Sequence, residues 1–331
     1  MKNINVPVGI SNFEKIRQDG YYYVDKTGLI RDMLENQIPE VTLIKRPRRF
    51  GKTLVMSMLA SFFDIQKDSK ELFQGLEIIK EEKICKEFMN QYPTLFLSFK
   101  DVDGTTFENA FGLLQLMISE ICKKNVYLLK SELIDEDDKK IFKRLKSREA
   151  SLSEIQSSIV LIMNMMRTYY QKPVILLIDE YDVPIAKASS NGYYKEMLEV
   201  MKSMLSTSLK DNTALKFAVI TGCLKIAKES IFTGTNNFVS DTVSSKRYNE
   251  YYGFTKQDVD QILKDADMEQ KVSEIKEWYD GYNFGNVDVY CPWDVMNYLW
   301  DLSNDPKAKP ISYWKNTSDN AIIRSFIDHT G

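Results

Sequence analysis

An α/β fold, with a parallel sheet covered by helices on both faces, is predicted by three observations in this 331-residue chain. Apolar runs at 41–45, 174–179 and 216–221 have the near-continuous hydrophobicity of strands buried on both sides. Long stretches with helical spacing of apolar residues separate them. The first run leads directly into Gly51-Lys52-Thr53 and a helical stretch, so a strand, a tight turn and a helix follow one another.

Taken in order, residues 1–40 form an N-terminal segment of the core. It holds Val8-Gly9-Ile10, a short helix at 13–18, and a strand or extended piece at 21–27. Asp25 or Thr27 caps a helix running through Leu34. The strand 41–45 and the helix 52–63 follow, then a second strand over 94–100. Helical periodicity covers 107–124, 138–146 and 153–170, the last opened by Ser151-Leu152-Ser153-Glu154 and stopped by Pro173. A helix over 193–209 precedes the strand that ends in Thr221-Gly222. Past residue 250 the texture changes to short amphipathic helices: one opened by Thr255 and Asp258, one over 273–279 ending at Asp280-Gly281, one from Pro292 to about 302, and a last one over 316–328. The expected organisation is a core over 41–248 and a small helical, lid-like domain over 249–331.

Composition narrows the function classes. A 44% apolar share fills a real core, and a net charge of −3 supplies no whole-molecule field toward nucleic acid or anionic membranes. No apolar run approaches the ~18 residues of a bilayer span, and the N-terminus lacks the apolar centre of a signal peptide, so a cytoplasmic location is expected. Cys85, Cys122, Cys223 and Cys291 are widely spaced, as reduced and mostly buried thiols are. One histidine, His329, argues against histidine-based metal sites and catalytic triads.

The segment Arg46-Pro47-Arg48-Arg49-Phe50-Gly51-Lys52-Thr53 departs from GxxxxGK[ST] only at Arg46, where glycine is usual. In such a turn, backbone N–H groups, a helix N-terminus and one lysine point at the same anion. Arg48, Arg49, Phe50, Gly51, Lys52 and Thr53 are expected to line a nucleotide, with Lys52 on the β/γ-phosphates and the Thr53 hydroxyl on Mg²⁺. The run Val174-Ile175-Leu176-Leu177-Ile178-Asp179-Glu180 supplies two carboxylates at a strand end. Asp179 is expected to reach the metal through water, and Glu180 to orient the attacking water. Together these residues predict the P-loop NTPase variety of α/β fold.

Other assignments stay open. Arg46, Arg48 and Arg49 clamp phosphate, pair within the fold or face a partner. Thr221 either senses the γ-phosphate as a catalytic group or is an ordinary strand-end threonine; Asp182 joins the cation site or caps the next turn, capping being favoured. Lys225, Lys228 and Arg247 are candidates for a charge-stabilising finger, and Asn236-Asn237 reads as a turn or as polar ligands. Asp135 to Asp138 reads as a solvated helix start. Tyr21–Tyr23 with Tyr248, Tyr251 and Tyr252 reads as packing more than base stacking, and 278–282 as a packed helix end.

The motif series as a whole resembles the bacterial and archaeal AAA-ATPase-like domain family, predicted P-loop ATPases akin to STAND-type ATPases. It runs from Phe13-Glu14-Lys15-Ile16 and Tyr22-Tyr23-Val24-Asp25-Lys26-Thr27 through the 46–53 segment and Leu177-Ile178-Asp179-Glu180-Tyr181-Asp182. It continues with Thr221-Gly222, Ala227 to Phe232, Asn236-Asn237, Gly253-Phe254-Thr255 and Trp278 to Gly285. The resemblance implies that Arg46 is normal for such proteins, and that the Thr221 strand lies between the phosphate strand and the Asp179 strand. It further implies a PD-(D/E)xK nuclease-like effector in many relatives; with no second catalytic constellation after residue 250, this chain is expected to be a fragment or to lack that effector. Tyr290-Cys291-Pro292 stands where Tyr-Asn-Pro is typical.

The expectation is therefore a Mg²⁺-dependent ATP-binding protein, slowly hydrolysing ATP to ADP and phosphate, that switches an effector in cis or in trans. Two alternatives remain: a non-hydrolysing scaffold held by its nucleotide, and a nucleic-acid-binding module of a nuclease system. Completion of the site by a second copy in a homo-oligomer also stays open.

Overall fold

The computed structural model describes residues 4–35, 38–223 and 238–314. Five parallel strands form its main sheet: β1 (Val41–Lys45), β2 (Thr94–Ser98), β3 (Val174–Asp179), β4 (Leu215–Gly222) and β5 (Phe238–Asp241), in the order β2-β3-β4-β1-β5. The Thr221 strand does lie between the phosphate strand and the Asp179 strand. Period-two alternation sorts β3 between two cores. Val174, Leu176 and Ile178 pack with the helices α6 (Phe107–Lys124), α7 (Glu136–Ser147), α9 (Ser158–Tyr170) and α11 (Tyr194–Leu209). Ile175 and Leu177 face the opposite core, formed with α1 (Phe13–Gln18), α2 (Gly28–Glu35) and α3 (Lys52–Phe63). Both faces are covered, which is why β1 and β3 are buried throughout and mostly apolar.

Several elements depart from expectation for local reasons. The helix expected over 153–170 is broken into α8 (Leu152–Gln156) and α9. At the break, the Ser157 hydroxyl donates to Ser153 O (3.0 Å) and the Ser158 hydroxyl to Ile155 O (2.7 Å), competing with the helical ladder. The α8 start carries the expected capping box between Ser151 and Glu154. The acidic run opens α7, with the Asp135 carboxylate accepting from Asp137 N at 2.7 Å. Residues 21–27 join no strand, and Asp25 accepts from both Thr27 N and the Thr27 hydroxyl. Short helices α4 (Lys70–Phe73) and α5 (Glu82–Phe88), and α10 (Val183–Asn191), carry too few apolar repeats to be read from periodicity.

The C-terminal part is not purely helical. Alongside α12 (Lys256–Asp265), α13 (Val272–Tyr279) and α14 (Pro292–Asn304) it holds an antiparallel sheet of β6 (Phe254–Thr255), β7 (Asp280–Phe284) and β8 (Val287–Tyr290), in the order β6-β8-β7. Asp280-Gly281 thus opens a strand. The two residues between β7 and β8, Gly285 and Asn286, both have positive φ (53° and 73°), the signature of a two-residue hairpin turn. That Gly-Asn pair, flanked by alternating Tyr282, Phe284, Val287 and Val289, is the signal that could have identified it. The N-terminal segment ties into this part: Val6, Tyr22 and Val24 pack with α12–α14, and the buried Lys26 ammonium donates to Asp258 (2.6 Å) and Glu250 O (2.7 Å). Among the described residues no helix is long and apolar enough to cross a membrane.

Candidate functional site

The C-terminal ends of β1, β3 and β4 meet at one edge of the sheet, where Ile44 pairs with Thr221 and Lys45 with Gly222. Crevices outside the carboxyl ends of parallel strands are where ligands of such sheets bind. The chain leaves β1 at Lys45 and curls through 46–51 into α3, with Arg49 (φ 72°) and Gly51 (φ 81°) both left-handed. Such a bend turns successive N–H groups to its concave side, and the unpaired N–H groups of the first turn of α3 add a positive helix end. Lys52 is buried and folds back over the loop: its ammonium donates to Arg46 O (2.9 Å) and Pro47 O (2.8 Å) and lies 3.2 Å from Cys223 Sγ.

Asp179, at 0% exposure, is held by two hydroxyls. Thr53 Oγ1 donates to its Oδ2 at 2.7 Å, and Thr221 Oγ1 donates to its Oδ1. One hydroxyl and one carboxylate on adjacent elements fit Mg²⁺, which takes few protein oxygens and completes its octahedron with phosphates and water. Glu180 follows in a left-handed conformation (φ 53°), which turns the chain from β3 toward α10 and leaves the carboxyl at the cavity wall. Burial raises its pKa and the Asp179 charge adds to that, while the nearby Lys52 and Arg48 charges oppose both.

Lys52, Thr53 and Glu180 border a cavity of about 980 Å³, whereas the fully buried Asp179 is not on its wall. Its wall combines polar groups such as Arg48, Lys52, Thr53 and Glu180 with apolar ones such as Val8, Ile10, Phe254 and Met296. The N-terminal segment, the loop and the C-terminal part all contribute to its wall.

Not every expected residue faces the cavity. Thr221 is fully buried, its hydroxyl donates to the Asp179 carboxylate, and it is not on the cavity wall. Phe50 borders the cavity, but its ring packs against Tyr282 (4.7 Å between centroids) and Phe284 (5.1 Å). A Cβ at Gly253 (φ +99°) would come within 3.0 Å of that ring, so glycine lets the C-terminal part approach the loop closely. Arg46 is structural: at 0% exposure it pairs with Asp241 on β5 (2.8 Å), its guanidinium 5.4 Å from the rings of both Tyr252 and Phe284. Arg49 lies 3.7 Å over the Trp293 ring on α14. Asp182 sits at the start of α10 without capping it; its carboxylate accepts from Cys223 N at 2.8 Å, fastening β4 to β3.

Arg247 is exposed, beside the Tyr248 ring and outside the cavity wall. Lys225, Lys228, Asn236, Asn237, His329 and the helix expected over 316–328 lie outside the described residues. The tyrosines pack: Tyr252 is fully buried, Tyr251 donates to Asp32, and Tyr22 donates to Asp265 at 2.7 Å. Trp278, by contrast, is 51% exposed rather than packed. The cysteines are free, and burial pushes the Cys291 thiol up to about 12. Asp241, Tyr252, Cys223 and Trp293 were not legible as site residues, because each meets the loop only through tertiary pairing.

A curated protein from Azotobacter chroococcum mcd 1, described as "Uncharacterized protein in vnfD 5'region", is 30% identical over 298 residues, covering 89% of this chain. The chain spans only about half of that relative's length, 52%. Residues 7–232, which contain the 46–53 loop, Asp179, Glu180 and Thr221, match the family model described as "Predicted AAA-ATPase". The chain belongs to that AAA-ATPase-like family.

Proposed function

We propose that the protein binds MgATP in this cavity, hydrolyses it slowly, and uses its nucleotide state to shift the C-terminal part against the sheet. The observation that carries this reading is the adjacency of Lys52, folded over the 46–51 loop, to the Thr53–Asp179 pair with Glu180 on the same wall. A polyphosphate entering the loop offers Lys52 an acceptor of full negative charge in place of two carbonyls. Thr53 and, through water, Asp179 would hold magnesium, which supplies charge neutralisation on the phosphates when bound. Glu180 orients a water and accepts its proton. The base packs against apolar wall residues such as Val8, Ile10 and Met296. Because Arg49 and Phe50 are packed on the C-terminal part, a change in the loop is passed to it, and an effector joined in cis or met in trans reads that change. Two of the three loop arginines are committed inside the fold, which weighs against a nucleic-acid contact there.

Titration calorimetry with ATP, ADP and GTP, beside phosphate release, tests the reading on wild type, Lys52→Ala and Glu180→Gln. Lys52→Ala is expected to lose about 100-fold or more in ATP affinity, and Glu180→Gln to bind ATP but lose about 10²–10⁴ in rate. Tight binding with no release by wild type would establish the scaffold reading instead. Affinity for DNA that falls steeply with salt and ignores ATP would establish the nucleic-acid one.

A further inference from the structure

The three arginines of the 46–49 segment have separate surroundings. Arg46 is buried against Asp241, and Arg49 is stacked on Trp293. Among the described residues Arg48 forms no ion pair, and it lines the cavity wall together with Lys52 and Glu180. It is half-buried, and its charge reaches the Glu180 carboxyl and the Cys223 thiol, both on the same cavity wall. A guanidinium left uncommitted there, inside a loop anchored on both sides by its neighbours, has no structural duty that the fold reveals.

We propose that Arg48 is a catalytic residue that stabilises the charge developing on the terminal phosphate, an in-built counterpart of the arginine that other nucleotide hydrolases receive from elsewhere. This rests on the reading of the cavity as an ATP site. In the step concerned, the water oxygen forms a bond to the terminal phosphorus while that phosphorus loses its bond to the bridging oxygen. The electron pair of the broken bond leaves on ADP, and the water proton passes to Glu180 and then to the released phosphate. Negative charge grows on the bridging oxygen and is spread over the outer oxygens, and a fixed planar donor beside them lowers the barrier more than it tightens ground-state binding. Lys52, drawn to the β/γ-phosphates, leaves that role open.

The test uses the full chain as wild type, Arg48→Ala and Arg48→Lys. The readouts are phosphate release and binding of ADP alone against ADP with magnesium and aluminium fluoride, a mimic of the transferring phosphate. Arg48→Ala is expected to keep ADP affinity within about threefold, lose about 100-fold for the aluminium fluoride complex, and slow release by about 10³ or more. Arg48→Lys is expected to recover less than about a tenth of the lost rate, since a point charge lacks the fork. Thermal melts within a few degrees of wild type show that the variants fold. Release by Arg48→Ala within about threefold of wild type overturns the proposal, as does a parallel fall in both affinities. A wild type that binds ATP without releasing phosphate overturns this inference and leaves the ATP site standing. A wild type without ATP affinity overturns both.

Discussion

On the cavity face of residues 46–53, Lys52 and Thr53 hold their present partners through polar contacts alone. On the opposite face, Arg46 and Phe50 are enclosed by an ion pair and by rings from the C-terminal part. The first set can exchange a carbonyl or a carboxylate for a phosphate oxygen at little cost, because one hydrogen bond replaces another. The second set cannot move without exposing a buried charge or an aromatic ring. One short loop thus combines groups free to change partner with groups that transmit any displacement. The sequence places both kinds side by side: Arg46 stands where glycine is usual, and its side chain turns inward.

This contrast can be broken experimentally, beginning at the rigid face. Asp241→Ala leaves the Arg46 guanidinium buried without its partner and is expected to cost about 3–5 kcal/mol of stability, read by chemical denaturation. The Arg46→Met/Asp241→Leu double variant should recover most of it, and a loss under about 1 kcal/mol for the single change would show that the pair is not an anchor. Next in size, Thr221→Val removes a hydroxyl from the buried Asp179 carboxylate, worth about 1.5–3 kcal/mol. If Thr221 acts by positioning Asp179, MgATP affinity falls while metal-free ADP affinity stays; equal losses for both would contradict that assignment.

Smaller again is Arg49→Ala. Losing the stack on Trp293 should cost about 0.5–2 kcal/mol and weaken the change in tryptophan fluorescence on adding ATP. An unchanged fluorescence response would show that this contact carries no signal between loop and C-terminal part. The finest effect is on pH. Because burial and Asp179 raise the Glu180 pKa, its working carboxylate form is lost at a higher pH than for an ordinary glutamate. The acid limb of the hydrolysis profile should sit correspondingly high and vanish in Glu180→Gln. Stability follows the same sign: the folded state favours the protonated acid, so ionisation at rising pH disfavours folding, and Glu180→Gln should be slightly more stable at neutral pH. A limb at the ordinary carboxylate position would remove Glu180 from the role of base.

What could be read in advance divides along the same line. The strands at 41–45, 174–179 and 215–222 are legible because burial on both faces demands unbroken apolar runs. The strand 238–241 is four residues of mixed character, and the 280–290 hairpin hides beside a helix end, so neither stands out from its neighbours. Lys52, Thr53, Asp179 and Glu180 are legible because each stands just beyond an apolar strand run, in a recognisable turn or carboxylate pair. The fold brings Thr53 into contact with Asp179 and sets Lys52 and Glu180 on one cavity wall.

By itself, then, the order of residues determined the strand–turn–helix, the parallel sheet and the side chains available for chemistry, since each follows from local pattern and burial. Tertiary structure alone decided which arginine is spent on the fold, because Asp241 lies 195 positions from Arg46 and arrives only when β5 pairs with β1. It also decided that Thr221 meets Asp179 and that Phe50 and Arg49 belong to the C-terminal contact. Long-range pairing sets which neighbour a polar group meets in the low-dielectric interior, and that neighbour decides what the group does.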